Sequence, residues 1–207
     1  MKKPSLPFLI VLFVAGALVH KGLAKKESFI TPCKKLVNTD AAHAHGNTNQ
    51  EHFTAKQRFS IHKIVNTTVH YELHLQRNGH LETWKICKGP SSNPLQKRQA
   101  LKKEPLPLEY LLFEGATLKK PKYKEGVLVW DHGTYSFATE PTESKFSIVF
   151  EGTRVKGLYT LEKQNNTWVF QKEEDAFADP RKNITRLFKR SALSGQTLTH
   201  ILRQAHA

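Results

Sequence analysis

The chain has 207 residues, 39% hydrophobic and 24% charged, a balance ordinary for one globular domain plus ends and too short for several, yet long enough for a sizeable core. Its formal charge of +14 favours an anionic partner, with nucleic acid first and an acidic membrane surface or solubility alone as alternatives. The two cysteines, Cys33 and Cys87, form no CxxC pair, which leaves a cysteine-based zinc site without support.

Lys2 and Lys3 precede an apolar run from Phe8 to Val19, and Gly22-Leu23-Ala24 follows with small residues at 22 and 24. The run is short for a membrane span, which needs about 20 apolar residues. Residues 1–24 therefore read as a cleaved secretory leader. An uncleaved anchor, or a leader that never acts, is the alternative. Cleavage removes three lysines and takes the formal charge from +14 to +11. The expected product is exported, periplasmic or secreted, without stable membrane insertion; without a working leader it is cytoplasmic. Residues 25–55 read as a disordered linker, since the stretch from Ala42 to Gln50 lacks periodicity and apolar content.

From residue 56 onward the pattern is that of strands. Arg58–Val65, Thr68–Gln76 and His80–Ile86 alternate or carry β-branched and aromatic residues, with Arg77-Asn78-Gly79 as a tight hairpin signal. A looser lysine- and proline-rich segment is expected from Lys88 to Pro121. Further strands are expected over Gly126–Asp131, Thr134–Ala138, Lys145–Glu151, Leu158–Lys163 and Thr167–Gln171. About eight short strands at this spacing predict a mainly β fold, a single small closed or nearly closed barrel over 56–178. Residues 179–207 form a C-terminal extension with a short helix, in which Ser194 caps and Leu198, Ile201 and Leu202 make an apolar docking stripe.

His70, Glu72 and His74 alternate along the second strand, so all three project from one face while Tyr71, Leu73 and Leu75 project from the other. Two imidazoles and a carboxylate suit a divalent transition metal with open coordination positions. A solvated polar face explains the same alternation.

Five segments occur in order: Trp84–Ser91, Lys97–Ala100, Pro107–Gly115, Val127–Thr134 and Trp168–Lys172. Together they resemble the 3′-phosphoesterase domain of bacterial DNA ligase D, and Leu193–Leu198 is similar to the stretch that follows it. The resemblance covers roughly residues 56–205. It implies a barrel whose concave face binds a manganese-type ion and a nucleic-acid 3′ end, trimming terminal ribonucleotides and 3′-phosphates before ligation. The family's polymerase and ligase domains do not fit in this length.

Carried over residue by residue, the family's second metal His falls on His70, its Asp on Glu72, its phosphate-binding Lys and Arg on Lys88 and Arg98, and its Tyr on Tyr110. The departures are Ile64 for the first metal His, His74 for an Arg, Gln76 for a Glu and Leu106 for a later His. The expected site is thus catalytic through His70, Glu72 and Tyr110, phosphate-binding through Lys88, Arg98 and His74, and metal-binding through His70, Glu72 and His74 with manganese. His62 shares their parity but lies about 6–7 Å along the strand from Ile64. The expected function is binding of phosphate at nucleic-acid 3′ ends or of another polyanion, with catalysis impaired or lost. An active manganese-dependent end-healing enzyme and an exported basic barrel with a non-nucleic-acid role are the alternatives.

Overall fold

The computed structural model describes residues 56–120 and 123–204. The leader, the linker and Cys33 fall outside them, and Cys87 is exposed. Nine strands run in chain order: β1 (Gln57–Val65), β2 (Val69–Arg77), β3 (His80–Ile86), β4 (Arg98–Leu106), β5 (Gly115–Lys120), β6 (Tyr123–Phe137), β7 (Lys145–Gly152), β8 (Lys156–Gln164) and β9 (Thr167–Lys172). Two short helices follow, α1 (Ile184–Leu187) and α2 (Leu198–Gln204). The sheet order β1-β2-β3-β4-β9-β8-β7-β6-β5, with β6 also paired to β1, closes eight antiparallel strands into a barrel and leaves β5 added outside it.

Alternation builds the interior. Phe59 and Ile61 of β1, Tyr71, Leu73 and Leu75 of β2, and Trp84 and Ile86 of β3 all enter one core with Trp130, Phe150, Tyr159 and Phe170. At the β2–β3 hairpin, Asn78 (φ 50°) and Gly79 (φ 79°) adopt the left-handed conformation that a two-residue turn needs to match strand twist.

Two strands lie where the sequence pattern predicts a loose segment. In β4 only Ala100 is fully buried, and the strand carries Lys102, Lys103 and Pro105, so it lacks an alternating signal. Proline is tolerated there because β4 pairs with β9 only over Arg98–Ala100, which leaves the later part of that edge without ladder bonds. β5 pairs only with the first part of β6.

The two strands expected over 126–138 are instead one long strand. Its first part neighbours β5 and its second neighbours β7. Gly133 is therefore not a turn. Its α-carbon passes so close to the Glu151 carbonyl that a Cβ would collide with backbone.

The C-terminal stripe docks on β6. Ile201 is buried, and a Cβ built on Gly126 would stand 2.9 Å from Leu202 Cδ2 and 3.3 Å from Leu198 Cδ1. The cap, however, is Thr197 rather than Ser194: Thr197 Oγ1 accepts from the His200 amide at 3.3 Å, while Ser194 Oγ accepts from Gln196. Gly126→Val should lift this helix. The expected result is faster amide exchange over 198–204 with the barrel amides unchanged, at a cost of about 1–3 kcal/mol. No helix among the described residues is long and apolar enough to cross a membrane.

Candidate functional site

The strand registers decide what the histidine face meets. His62 pairs opposite Glu72, Ser60 opposite His74 and Ile64 opposite His70 on β1 and β2. On the other side of β2, Glu72 faces Lys85 and His74 faces Thr83 of β3, and Thr83 in turn faces Lys103 of β4. Since Tyr71 and Leu73 fill the core, this whole row lies on the outer wall of the barrel.

The outer wall is nonetheless covered. A 3₁₀ turn at Leu108–Tyr110 and the residues after it fold across β1 and β6, anchored where Glu114 Oε1 accepts from the Val129 amide at 2.8 Å. His62 and His74 are fully buried and His70 is 7% exposed. The solvated-face reading of the alternation therefore does not hold.

Hydrogen bonding fixes two tautomers. The Leu111 carbonyl can only accept, so His62 Nε2, 3.0 Å away, carries the proton and Nδ1 is bare. Thr83 Oγ1 donates to the Leu81 carbonyl and so accepts from His74 Nδ1 at 2.9 Å, which leaves His74 Nε2 bare. His62 Nδ1, His74 Nε2 and His70 Nδ1 are all buried without a partner.

Rings complete the cluster. His62 packs edge-on to His74 with centroids 4.4 Å apart, Tyr110 tilts against them at 5.2 and 5.7 Å, and Phe113 stacks on Tyr110 at 5.1 Å. The electrostatics follow from this enclosure. Burial pushes His62 down to about 4, against the raising effect of the Leu111 carbonyl and Glu72. His74 is also held well below its ordinary value by burial and by the neighbouring His62. Burial pushes the Tyr110 hydroxyl up, with the Glu72 and Glu125 charges adding. For Glu72, burial acts upward but is outweighed by His70, whose Nε2 lies 3.7 Å from Glu72 Oε1, with Lys103 and His62 helping to hold the carboxyl below its usual range.

The fold brings together His70, Glu72, His74 and Tyr110. It adds His62, which faces Glu72 rather than His70 and so joins the cluster despite its distance from Ile64 along β1. Thr83 and Lys103 join as well; their positions follow only from cross-strand register, which no local spacing reveals. The three expected metal ligands do not converge as a three-ligand set. His70 and Glu72 face each other, His74 is committed to Thr83 and His62, and no group of three or more His, Cys, Asp or Glu among the described residues is arranged to hold an ion.

Arg98 and Lys88 lie elsewhere. Ala100 pairs with Ile86, which pairs with Tyr71, all core residues; Arg98 is two residues before Ala100 and opposite Phe170, so it lies on the inward side of the sheet. Lys88 is exposed in the turn after β3. Arg98 lines a hollow at this end of the barrel, where Lys88 is not among the lining residues.

A small closed antiparallel barrel carrying a buried histidine, carboxylate and tyrosine cluster on its outer wall is the class of domain that these observations define. Residues 62–163, which include that cluster, match the model of the DNA ligase D 3′-phosphoesterase domain. The chain thus carries a divergent 3′-phosphoesterase domain of the DNA ligase D kind. It is 31% identical over 157 residues to the multifunctional non-homologous end joining protein LigD of Pseudomonas aeruginosa, covering 70% of this chain and 19% of that protein. The LigD protein of Mycobacterium bovis is 35% identical over 100 residues, 46% of this chain and 13% of that protein. That of Mycolicibacterium smegmatis is 28% identical over 130 residues, 57% of this chain and 17% of that protein. The chain thus spans about a fifth or less of the length of these relatives.

Proposed function

We propose that this domain serves DNA repair by binding the phosphate-bearing 3′ ends of nucleic acid, and that its phosphoesterase chemistry is impaired or lost. The observation that carries the reading is the state of His74. The resemblance assigns an Arg to that position, a planar bidentate phosphate clamp, whereas a buried imidazole bonded to Thr83 and packed on His62 offers neither the charge nor the reach. Leu106 stands where the resemblance assigns a His, and a positioned acid or base is worth roughly 10²–10⁴ in rate. Lys103 and Lys85 beside Glu72 and the +14 formal charge of the chain favour retained attraction for phosphate.

The test is a primer–template duplex ending in a 3′-phosphate, incubated with the protein and manganese while binding and phosphate release are followed together. Salt-sensitive binding is expected, with release at least about 100-fold slower than that of a family domain carrying both histidines. Release at the family's rate, lost in His70→Ala, would instead establish the second reading, an active enzyme with a rearranged metal site. The buried nitrogens of His62, His70 and His74 that lack a hydrogen-bond partner are the observation that favours it. A duplex that fails to bind at low salt would end both.

A further inference from the structure

No Asp or Glu occurs from Pro180 to Ala207, a stretch that carries Arg181, Lys182, Arg186, Lys189, Arg190 and Arg203. The whole stretch lies beyond the segment that the family model matches. Like charges repel along such a run, and an anionic surface laid against it relieves the repulsion.

Part of the run lines one open hollow of about 470 Å³ around α1, where Arg181, Lys182, Asn183, Arg186 and Leu187 share the wall with Asp179. Asp179 is the one carboxylate among these lining residues, and it stands 3.9 Å from Arg181 Nε in a loose surface pair, so the hollow keeps a surplus of positive charge. Leu187 is 60% exposed in the same wall, whereas Ile184 is buried and Phe188 packs against the core. A lone exposed leucine is ordinary; one set among three cations in a single concavity needs a reason.

The backbone beneath that wall is pinned. Ser92 Oγ shares its hydrogen between the Asp179 and Lys182 carbonyls at 3.2 and 3.1 Å, and Asn93 Nδ2 donates to the Pro180 carbonyl at 3.3 Å. Asn183 Oδ1 caps α1 by accepting from the Arg186 amide at 3.0 Å, and Trp130 Nε1 donates to the Phe188 carbonyl at 2.8 Å. Both ends of the segment are thus held on the barrel, and Leu187 is presented to water by that framework. Nucleic acid rewards the cations but gives a leucine nothing. The interface of an anionic bilayer takes both, with headgroup phosphates at the cations and the isobutyl group among the upper acyl chains.

We propose that this hollow is a docking face for an anionic lipid bilayer, in which Arg181, Lys182 and Arg186 hold headgroup phosphates and Leu187 enters the acyl boundary. The inference goes beyond the nucleic-acid reading and does not depend on it. Three cations and one leucine give a peripheral, reversible hold that salt weakens.

The experiment uses the whole chain with Leu187→Trp as a depth probe. The native Trp84, Trp130 and Trp168 are at most 6% exposed, so contact quenching by lipid reports on position 187. Vesicles of phosphatidylglycerol and phosphatidylcholine in equal parts carry bromine on their acyl chains, and fluorescence is scored per sedimented molecule, which separates contact of this face from attachment through residues 1–24. Leu187→Trp should be quenched on these vesicles and not on vesicles of brominated phosphatidylcholine alone. With Arg181→Gln, Lys182→Gln and Arg186→Gln added, the quenching should fall at least about fivefold, the contribution of a single cation at such a surface. Leu101→Trp, a control on an exposed leucine of β4, should not be quenched. Thermal midpoints should match the wild type, because the substituted side chains are exposed.

A chain that stays in the supernatant with anionic vesicles, or sediments without quenching at 187, would overturn the docking face and leave the nucleic-acid reading standing. Equal quenching at 187 and 101 would overturn it too, as would quenching that loss of the three cations leaves within about twofold. A 3′-phosphorylated duplex that abolishes the quenching, and binds the cation-depleted variant about tenfold more weakly, would assign the hollow to nucleic acid instead.

Discussion

Lowering the pH from about 7 to about 4 should remove about 3 kcal/mol of folding free energy through His62 alone, in protein stripped of metal by a chelator. In the unfolded chain this imidazole protonates near 6.5, whereas in the fold it stays neutral down to about 4. Between those values the unfolded state binds more protons, so stability falls as the pH falls through that window and is fully present above it. The cause is enclosure. His62 has no exposed surface, its protonated Nε2 is bound to the Leu111 carbonyl, and its other neighbours are the His74 and Tyr110 rings, with Glu72 across the strand. His74 is depressed in the same direction and adds to the slope.

The measurement is the urea midpoint as a function of pH for wild type and His62→Gln. Glutamine keeps a donor for Leu111 but has no proton to gain. Its curve should be flatter between about pH 4 and 6.5, and superposable curves would show that His62 is protonated within the fold. The consequence reaches function, since His62 and His74 present neutral imidazoles at neutral pH and so offer no positive charge to phosphate there.

Asp131→Ala should cost about 3–5 kcal/mol, the largest expected effect of any single substitution considered. Asp131 has no exposed surface, and its carboxylate accepts from three consecutive amides of the turn after β7: Thr153 at 3.1 Å, Arg154 at 3.0 Å and Val155 at 2.7 Å. Alanine leaves all three donors without that partner, at about 1–3 kcal/mol each before relaxation. The turn also carries Arg154, whose guanidinium donates to the Trp130 carbonyl and lies over the Trp130 and Phe188 rings at 5.4 and 5.0 Å. Loosening it therefore frees the seam between the barrel and the C-terminal segment, where Trp130 Nε1 donates to the Phe188 carbonyl at 2.8 Å. Asp131→Asn keeps one acceptor and the shape, so it should recover about half of the loss in denaturant midpoint. An alanine variant within about 1 kcal/mol of wild type would show that water replaces the carboxylate without penalty.

The sequence by itself determined the class of fold, because alternation along β1, β2 and β3 and the Asn78-Gly79 turn are local signals that burial must obey. It also determined the family, through short segments in order, and the shared face of His70, Glu72 and His74. Other features required the tertiary structure. β4 became a strand although it carries two lysines and a proline, because β3 offers it an edge and β9 leaves part of its other edge unpaired. Gly133 continues a strand because β7 passes against it. His62 joined the site because antiparallel register sets it across from Glu72, and register is a property of two strands rather than one. The same nonlocal pairing put Arg98 on the inward side of the sheet and drew Arg181 and Lys182 beside it from more than 80 residues away along the chain. Side-chain chemistry is written residue by residue, but the distance between two chemistries is set by closure of the barrel.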